Sequence, residues 1–165
     1  MFIPFSRISP AARVWVYQAN RTLTDAEVQT IEAALEPALD TWAAHGSPLL
    51  ASAQVVENRF VIIAVDEDHT LPSGCSIDAS THFLQAVGRQ LNADFFDRSP
   101  AFLTADETLE TVPMAGIKTA VLTGKITQET TVFNTLASTK DEFLTNWKRQ
   151  AGNTWLKRYF VKQLV

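Results

Sequence analysis

The chain is 165 residues long, 46% hydrophobic and 19% charged, with a formal net charge of −4, enough for one sizeable core or a core with a small satellite. Its fourteen Lys and Arg are spread along the chain, which argues against a nucleic-acid partner, and no apolar run approaches the ~18 residues of a membrane span. A single cysteine excludes an internal disulfide, and Met1-Phe2-Ile3-Pro4-Phe5-Ser6-Arg7 lacks the apolar stretch of a leader, so a cytoplasmic address is expected.

Arg13-Val14-Trp15-Val16-Tyr17-Gln18, rich in β-branched and aromatic residues, predicts a first strand ending at Asn20-Arg21. Thr24-Asp25-Ala26-Glu27 then has the form of a capping box, and Val28, Ile31, Leu35, Ala38 and Trp42 recur at helical spacing. Pro37 interrupts that stripe, predicting a kink or break near Glu36, and Gly46 is placed to end the helix, with His45 suited to its C-terminal dipole. Residues 51–57 and 60–65 read as a hairpin about Asn58-Arg59, the second strand apolar on both faces and therefore central. A loop with Pro72 and Gly74 leads to a helix over about 76–92, with Ile77, Leu84, Val87 and Leu91 as its apolar set, and Phe95-Phe96 starts a short strand.

These elements predict an α+β fold: an antiparallel sheet with two helices, in the βαββαβ order expected of a ferredoxin-like protein. Ser99-Pro100 marks the expected boundary between residues 1–98 and a small α/β extension over 99–165 packed on them. The extension should hold strands near 101–104 and 109–112 and a helix over 113–122 that ends at Gly124. Lys157, Arg158 and Lys162, beside Trp155 and Tyr159, form its basic concentration, able to touch a phosphate or a partner but more commonly a solvated face.

The entry to the second helix carries the chain's only thiol, in Gly74-Cys75-Ser76-Ile77-Asp78-Ala79-Ser80. Free amides at a helix N-terminus favour a thiolate or a bound anion, while the Asp78 carboxylate competes for the same amides. Cys75, Asp78 and His82 stand at i, i+3 and i+7, the spacing of a nucleophile, an orienting carboxylate and a base on one face. The same face continues to Gln85 and Arg89, as a solvated face would, and a structural role fits as well: Cys75 or Ser76 as N-cap, with Asp78 favouring the dipole. His69, Cys75, Asp78 and His82 match no common zinc spacing, so neither metal nor cofactor is expected. With the first and third strands taken as parallel neighbours, Gln18, Asn20, Arg21, Asp66 and Arg98 emerge at one edge of the sheet. Beside Ser76 and Asp78 they would line a ligand crevice at the start of the Cys75 helix, although strand ends are commonly polar because loops face water.

Two resemblances follow from particular residues. Gly124-Lys125-Ile126-Thr127, then Thr130-Thr131-Val132-Phe133-Asn134, with Trp147 and Trp155 beyond, resembles the bacterial type of GYF-like module over about fifty residues. The Gly-Pro-Phe of that family is replaced by Val112-Pro113-Met114, so its peptide-binding surface is not implied. More widely, Trp42-x-Ala44-His45-Gly46-x-Pro48-Leu49, Asn58-Arg59-Phe60, Ala64-Val65-Asp66-Glu67, Gly74-Cys75-Ser76-Ile77-Asp78 and Phe96-Asp97-Arg98 resemble a small family of uncharacterised Bacteroidota proteins. Its members often carry the label ABC transporter ATPase, and this sequence does not support that label. A P-loop needs Gly-x-x-x-x-Gly-Lys-Ser/Thr, whereas Thr119 stands at the first glycine and Ile126 at the hydroxyl position. The resulting expectation is a non-catalytic cytoplasmic binding or protein-interaction protein with a protein or peptide partner. The alternative is a hydrolase or transferase with Cys75 as nucleophile, His82 as base, and Arg21 or Arg98 holding a small anionic substrate.

Overall fold

A computed structural model describes residues 1–160. The chain folds into two compact units, one formed by Met1–Asp97 with Thr135–Thr145, the other by Arg98–Asn134 with Asn146–Val165. The expected single division after residue 98 is therefore incomplete, because the chain returns to the first unit at Thr135. The α+β class holds, with antiparallel sheets.

In the first unit, strand β1 (Arg13–Gln18) is followed by helix α1 (Asp25–Asp40), the two-residue strands β2 (Ala43–Ala44) and β3 (Ser47–Pro48), strands β4 (Ala51–Val56) and β5 (Phe60–Val65), and helix α2 (Gly74–Leu91). The larger sheet has the order β1-β5-β4, and all six residues of β5 are buried, as their unbroken apolar run requires. Around it Ile31, Leu35 and Leu39 of α1 and Leu84 and Val87 of α2 close one core with Val61, Ile63 and Val65. β1 pairs antiparallel with β5, Gln18 opposite Phe60 and Arg13 opposite Val65, which corrects the parallel pairing expected from sequence. The expected strand at Phe95-Phe96 is reduced to one bridge, Gln18 with Phe96. The remainder of that β1 edge is met by a distant segment, where the Val14 amide donates to the Ser138 carbonyl and the Lys140 amide to the Ala12 carbonyl. Helix α4 (Lys140–Thr145) follows directly.

The α1 capping box forms as read: the Glu27 amide donates to Thr24 Oγ1 at 3.1 Å and the Thr24 amide to Glu27 Oε1 at 3.0 Å. Pro37 does not break the helix, which runs on to Asp40. Ala33 and Pro37 are both exposed, so the carbonyl deprived of its donor faces solvent and not the core. His45 and Gly46 are not a helix end. With φ of 51° and 81° they make the two-residue turn that joins β2 to β3, a hairpin hand that needs positive φ at both positions.

The second unit has a four-stranded antiparallel sheet of order β7-β6-β8-β9, from β6 (Ala101–Leu103), β7 (Leu109–Thr111), β8 (Thr131–Phe133) and β9 (Lys148–Gln150). Helix α3 (Ile117–Leu122) enters through a 3-10 turn at Met114–Gly116. Phe102, Ile117, Val121, Ile126, Leu156 and Phe160 belong to its core.

The second helix ends on a close backbone approach. A Cβ at Gly88 would lie 2.4 Å from the Ala93 carbonyl oxygen, because the chain turns back through Asn92 at φ 54° and the Ala93 amide donates to the Gly88 carbonyl. Gly88→Ala is expected to destabilise the protein by about 2–3 kcal/mol in urea unfolding, since backbone must shift to admit the methyl group. Gly74→Ala, with nothing within 4 Å of the added carbon, serves as the control and should be neutral or stabilising by up to about 1 kcal/mol.

Candidate functional site

Helix α2 begins two residues earlier than the sequence suggests, at Gly74. Ser73 is its N-cap, accepting from the Ser76 amide at 3.1 Å, while the Ser73 amide donates to Ser76 Oγ at 2.6 Å. Neither Cys75 nor Ser76 is the cap, and no acidic residue stands in the first turn, so Asp78 does not serve the N-terminal dipole there. The Ser76 hydroxyl is consumed within the box and its carbonyl accepts the Trp42 indole N–H at 2.8 Å, pinning the start of the helix to the core. Cys75, Asp78 and His82 are exposed along the outer face of α2, together with Gln85 and Arg89. No hydrogen bond joins Cys75, Asp78, His82 or His69, and among the described residues no group of His, Cys, Asp and Glu could hold a metal ion.

Arg21 is placed quite differently from an anion-binding arginine. Its Nη1 and Nη2 form a fork on the Glu27 carboxylate at 2.9 and 2.6 Å, Nη1 also donates to the Thr22 carbonyl, Nη2 to the Leu91 carbonyl at 2.6 Å, and Nε to the Asn92 carbonyl at 3.4 Å. A guanidinium has five N–H donors, and these five bonds leave none for a substrate. Arg21 thus joins the first turn of α1 to the last carbonyls of α2, each charge set where the local helix dipole favours it.

Antiparallel pairing separates the other candidates. Gln18, buried, and Asn20 lie at the C-terminal end of α2, where the Asn20 amide donates to the Asp94 carbonyl and Asn20 Oδ1 accepts from the Asp94 amide at 3.0 Å. Asp66 leaves the opposite end of the sheet, about 17 Å away for a six-residue strand, and folds its own loop by accepting from the Asp68 amide. The expected crevice beside Cys75 therefore does not assemble, since Asn20 and Arg21 stand at the far end of an 18-residue helix, roughly 27 Å long. Arg98 is exposed in the second unit.

One residue given no role by the sequence reading gains weight. Arg59 is buried, with Nε donating to the Ala19 carbonyl at 2.7 Å; burial pushes its guanidinium below the ordinary arginine range, and the Asp97 charge opposes that. Its only signal was a cation immediately ahead of an all-apolar strand. Near it, an open depression of about 550 Å³ is lined by Asn20, Gln85, Arg89, Asn92, Asp94 and Phe96 among others.

The second unit presents the other surface of interest. Leu156 and Phe160 are buried on one side of the 3-10 turn Trp155–Tyr159, which turns Trp155, Lys157 and Arg158 outward. Thr154 fixes the turn, its Oγ1 accepting from the Leu156 amide and donating to the Ala151 carbonyl at 2.8 Å. Trp155 is 43% exposed and packs edge-on to Tyr159, with the Arg158 guanidinium 5.9 Å from the Trp155 ring and 5.0 Å from the Tyr159 ring. Arg149 Nη2 donates to the Asn153 carbonyl at 2.6 Å, which brings a second cation to the head of that turn. Lys162 lies outside the described residues. The cations scattered along the sequence are thereby sorted: the second unit holds eight Lys and Arg against four Asp and Glu, the first six against fourteen. No family model, curated protein or solved structure matches the chain.

The Arg21 fork, with the Thr24 amide, holds the Glu27 carboxyl at about 2, below its ordinary 4.5. A depressed carboxyl contributes stability that is complete above the unfolded value and lost as pH falls, here from about 4.5 toward 2. Glu27→Gln should therefore flatten the decline in urea-unfolding midpoint across that window and lower the midpoint at pH 7. Parallel curves for the two proteins would show that Glu27 is not the group titrating.

Proposed function

We propose that the chain is a non-catalytic binding protein whose second unit holds a segment of another protein. The exposed Trp155, flanked by Arg158 and Tyr159 on a rigidly capped turn, carries this reading, because aromatic and arginine side chains dominate the energetics of protein contacts. The GYF-like resemblance bears on the framework alone: α3 runs into Gly124 at φ 76°, β8 follows, and the Trp147 ring packs 5.4 Å from Phe133. With Val112-Pro113-Met114 where that family has Gly-Pro-Phe, the ligand mode is this chain's own. The first unit then acts as support, a three-stranded antiparallel sheet closed by α1 and α2. A cytoplasmic setting suits its exposed, unpaired thiol. The resemblance to Bacteroidota proteins implies no activity.

The cysteine-centred alternative has less support. A nucleophile needs a base within hydrogen-bond reach, and Cys75 has no such bond to His82 or Asp78. A random dodecapeptide display selection on the full-length chain tests the binding reading. Enriched peptides should bind wild type and Cys75→Ser with equal affinity and lose about tenfold on Trp155→Ala. Failure to enrich any peptide, or loss of binding in Cys75→Ser with Trp155→Ala unaffected, would sink it.

A further inference from the structure

Resting on that binding reading, we infer that the partner segment is acidic. The charge composition of the second unit and the placement of its cations point to this chemistry. From Asn146 to the end of the chain there are five Lys and Arg and no Asp or Glu. Of these, Lys157 and Arg158 sit on the exposed side of the same 3-10 turn as Trp155. Arg149 is drawn to the head of that turn by its bond to the Asn153 carbonyl. None of the three has an ion pair among the described residues, whereas Lys125 on the same unit pairs with Glu110 at 3.2 Å. The cations around Trp155 are thus left without the internal counter-charge that Lys125 receives.

Geometry sets what such a partner would offer. Arg158 lies over two aromatic rings and donates one N–H, from Nη2, to the Tyr159 hydroxyl at 3.0 Å. A planar guanidinium held in this way keeps further donors for a carboxylate, which it can accept as a fork. The indole beside it supplies apolar surface for an aliphatic or proline side chain of the same segment. An extended acidic peptide fits this scale better than a polynucleotide. Nucleic-acid binding draws on many phosphate contacts along a continuous basic track, and here the positive excess is four charges on a chain whose net charge is −4.

The dodecapeptide library selected on the full-length chain is the probe. Asp and Glu should be enriched in the bound pool, and the leading peptide, followed by fluorescence anisotropy, should weaken about tenfold on Arg158→Glu and on Lys157→Glu, both exposed positions. Its affinity should also fall between 0.15 and about 1 M salt, over which the screening length drops from about 8 to 3 Å. Enrichment of neutral or basic peptides, or unchanged binding by both charge-reversed variants with their melting profiles intact, would overturn the inference while leaving the binding reading in place. Displacement of the peptide by an equimolar oligothymidylate would overturn it in favour of nucleic acid. A selection that enriches nothing removes the binding reading itself.

Discussion

Two helix ends of the first unit are joined by the ion pair between Arg21 and Glu27. Helix ends leave backbone groups without partners, and two such ends meet here, the amides opening α1 and the carbonyls closing α2. Glu27 serves the first through the capping box, Arg21 serves the second through Leu91 and Asn92, and the fork between them at 2.6 and 2.9 Å joins both in one network. The apolar core of Ile31, Leu35, Leu39, Leu84 and Val87 holds the two helices, while this network lies at the exit of β1. The contacts just beyond it then follow: Asn20 with Asp94, and Gly88 under the Ala93 carbonyl.

The same network explains why a functional reading of Arg21 from sequence was natural and incomplete. A cation following a strand end is a sound candidate for an anionic ligand, and nothing in the linear order shows that a carboxylate six residues on and a helix terminus about seventy residues on will claim every donor. Local signals were legible: the Thr24 box, the apolar β5, the β4–β5 hairpin and the αL glycine after α3 all stand where the residues placed them. Pairwise topology was not. Whether β1 meets β5 parallel or antiparallel is decided by core closure, and that choice sends Gln18 and Asp66 to opposite ends of the sheet. His45-Gly46 likewise reads equally as a helix stop or a hairpin turn until the end of α1 at Asp40 is known.

Cys75 changes meaning for a similar reason. The features that drew attention to it, a thiol in the first turn of a helix with a histidine two turns on, are satisfied by the sequence alone. Catalysis asks more, because a base must be held against the thiol and a third group must orient the base. Ser73 and Ser76 secure the helix start through each other and through Trp42, so the motif's tight local chemistry is spent on starting α2. What remains outward is a solvated face of Cys75, Asp78 and His82.

Charge behaves in the opposite way, uninformative along the chain and informative once folded. A net charge of −4 describes neither unit: one carries an excess of eight acidic residues, the other an excess of four basic ones. At physiological salt, exposed charges act over only about 8 Å, so the field at the Trp155 turn is set by Lys157, Arg158 and Arg149 and not by the average. Burial of Leu156 and Phe160 is what turns those cations outward as a group, since a 3-10 turn with two residues committed to the core must present the others to solvent. The shared outward face of Lys157 and Arg158 is thus a consequence of core packing in the second unit, because the apolar side chains on either side of them, Leu156 and Phe160, are buried.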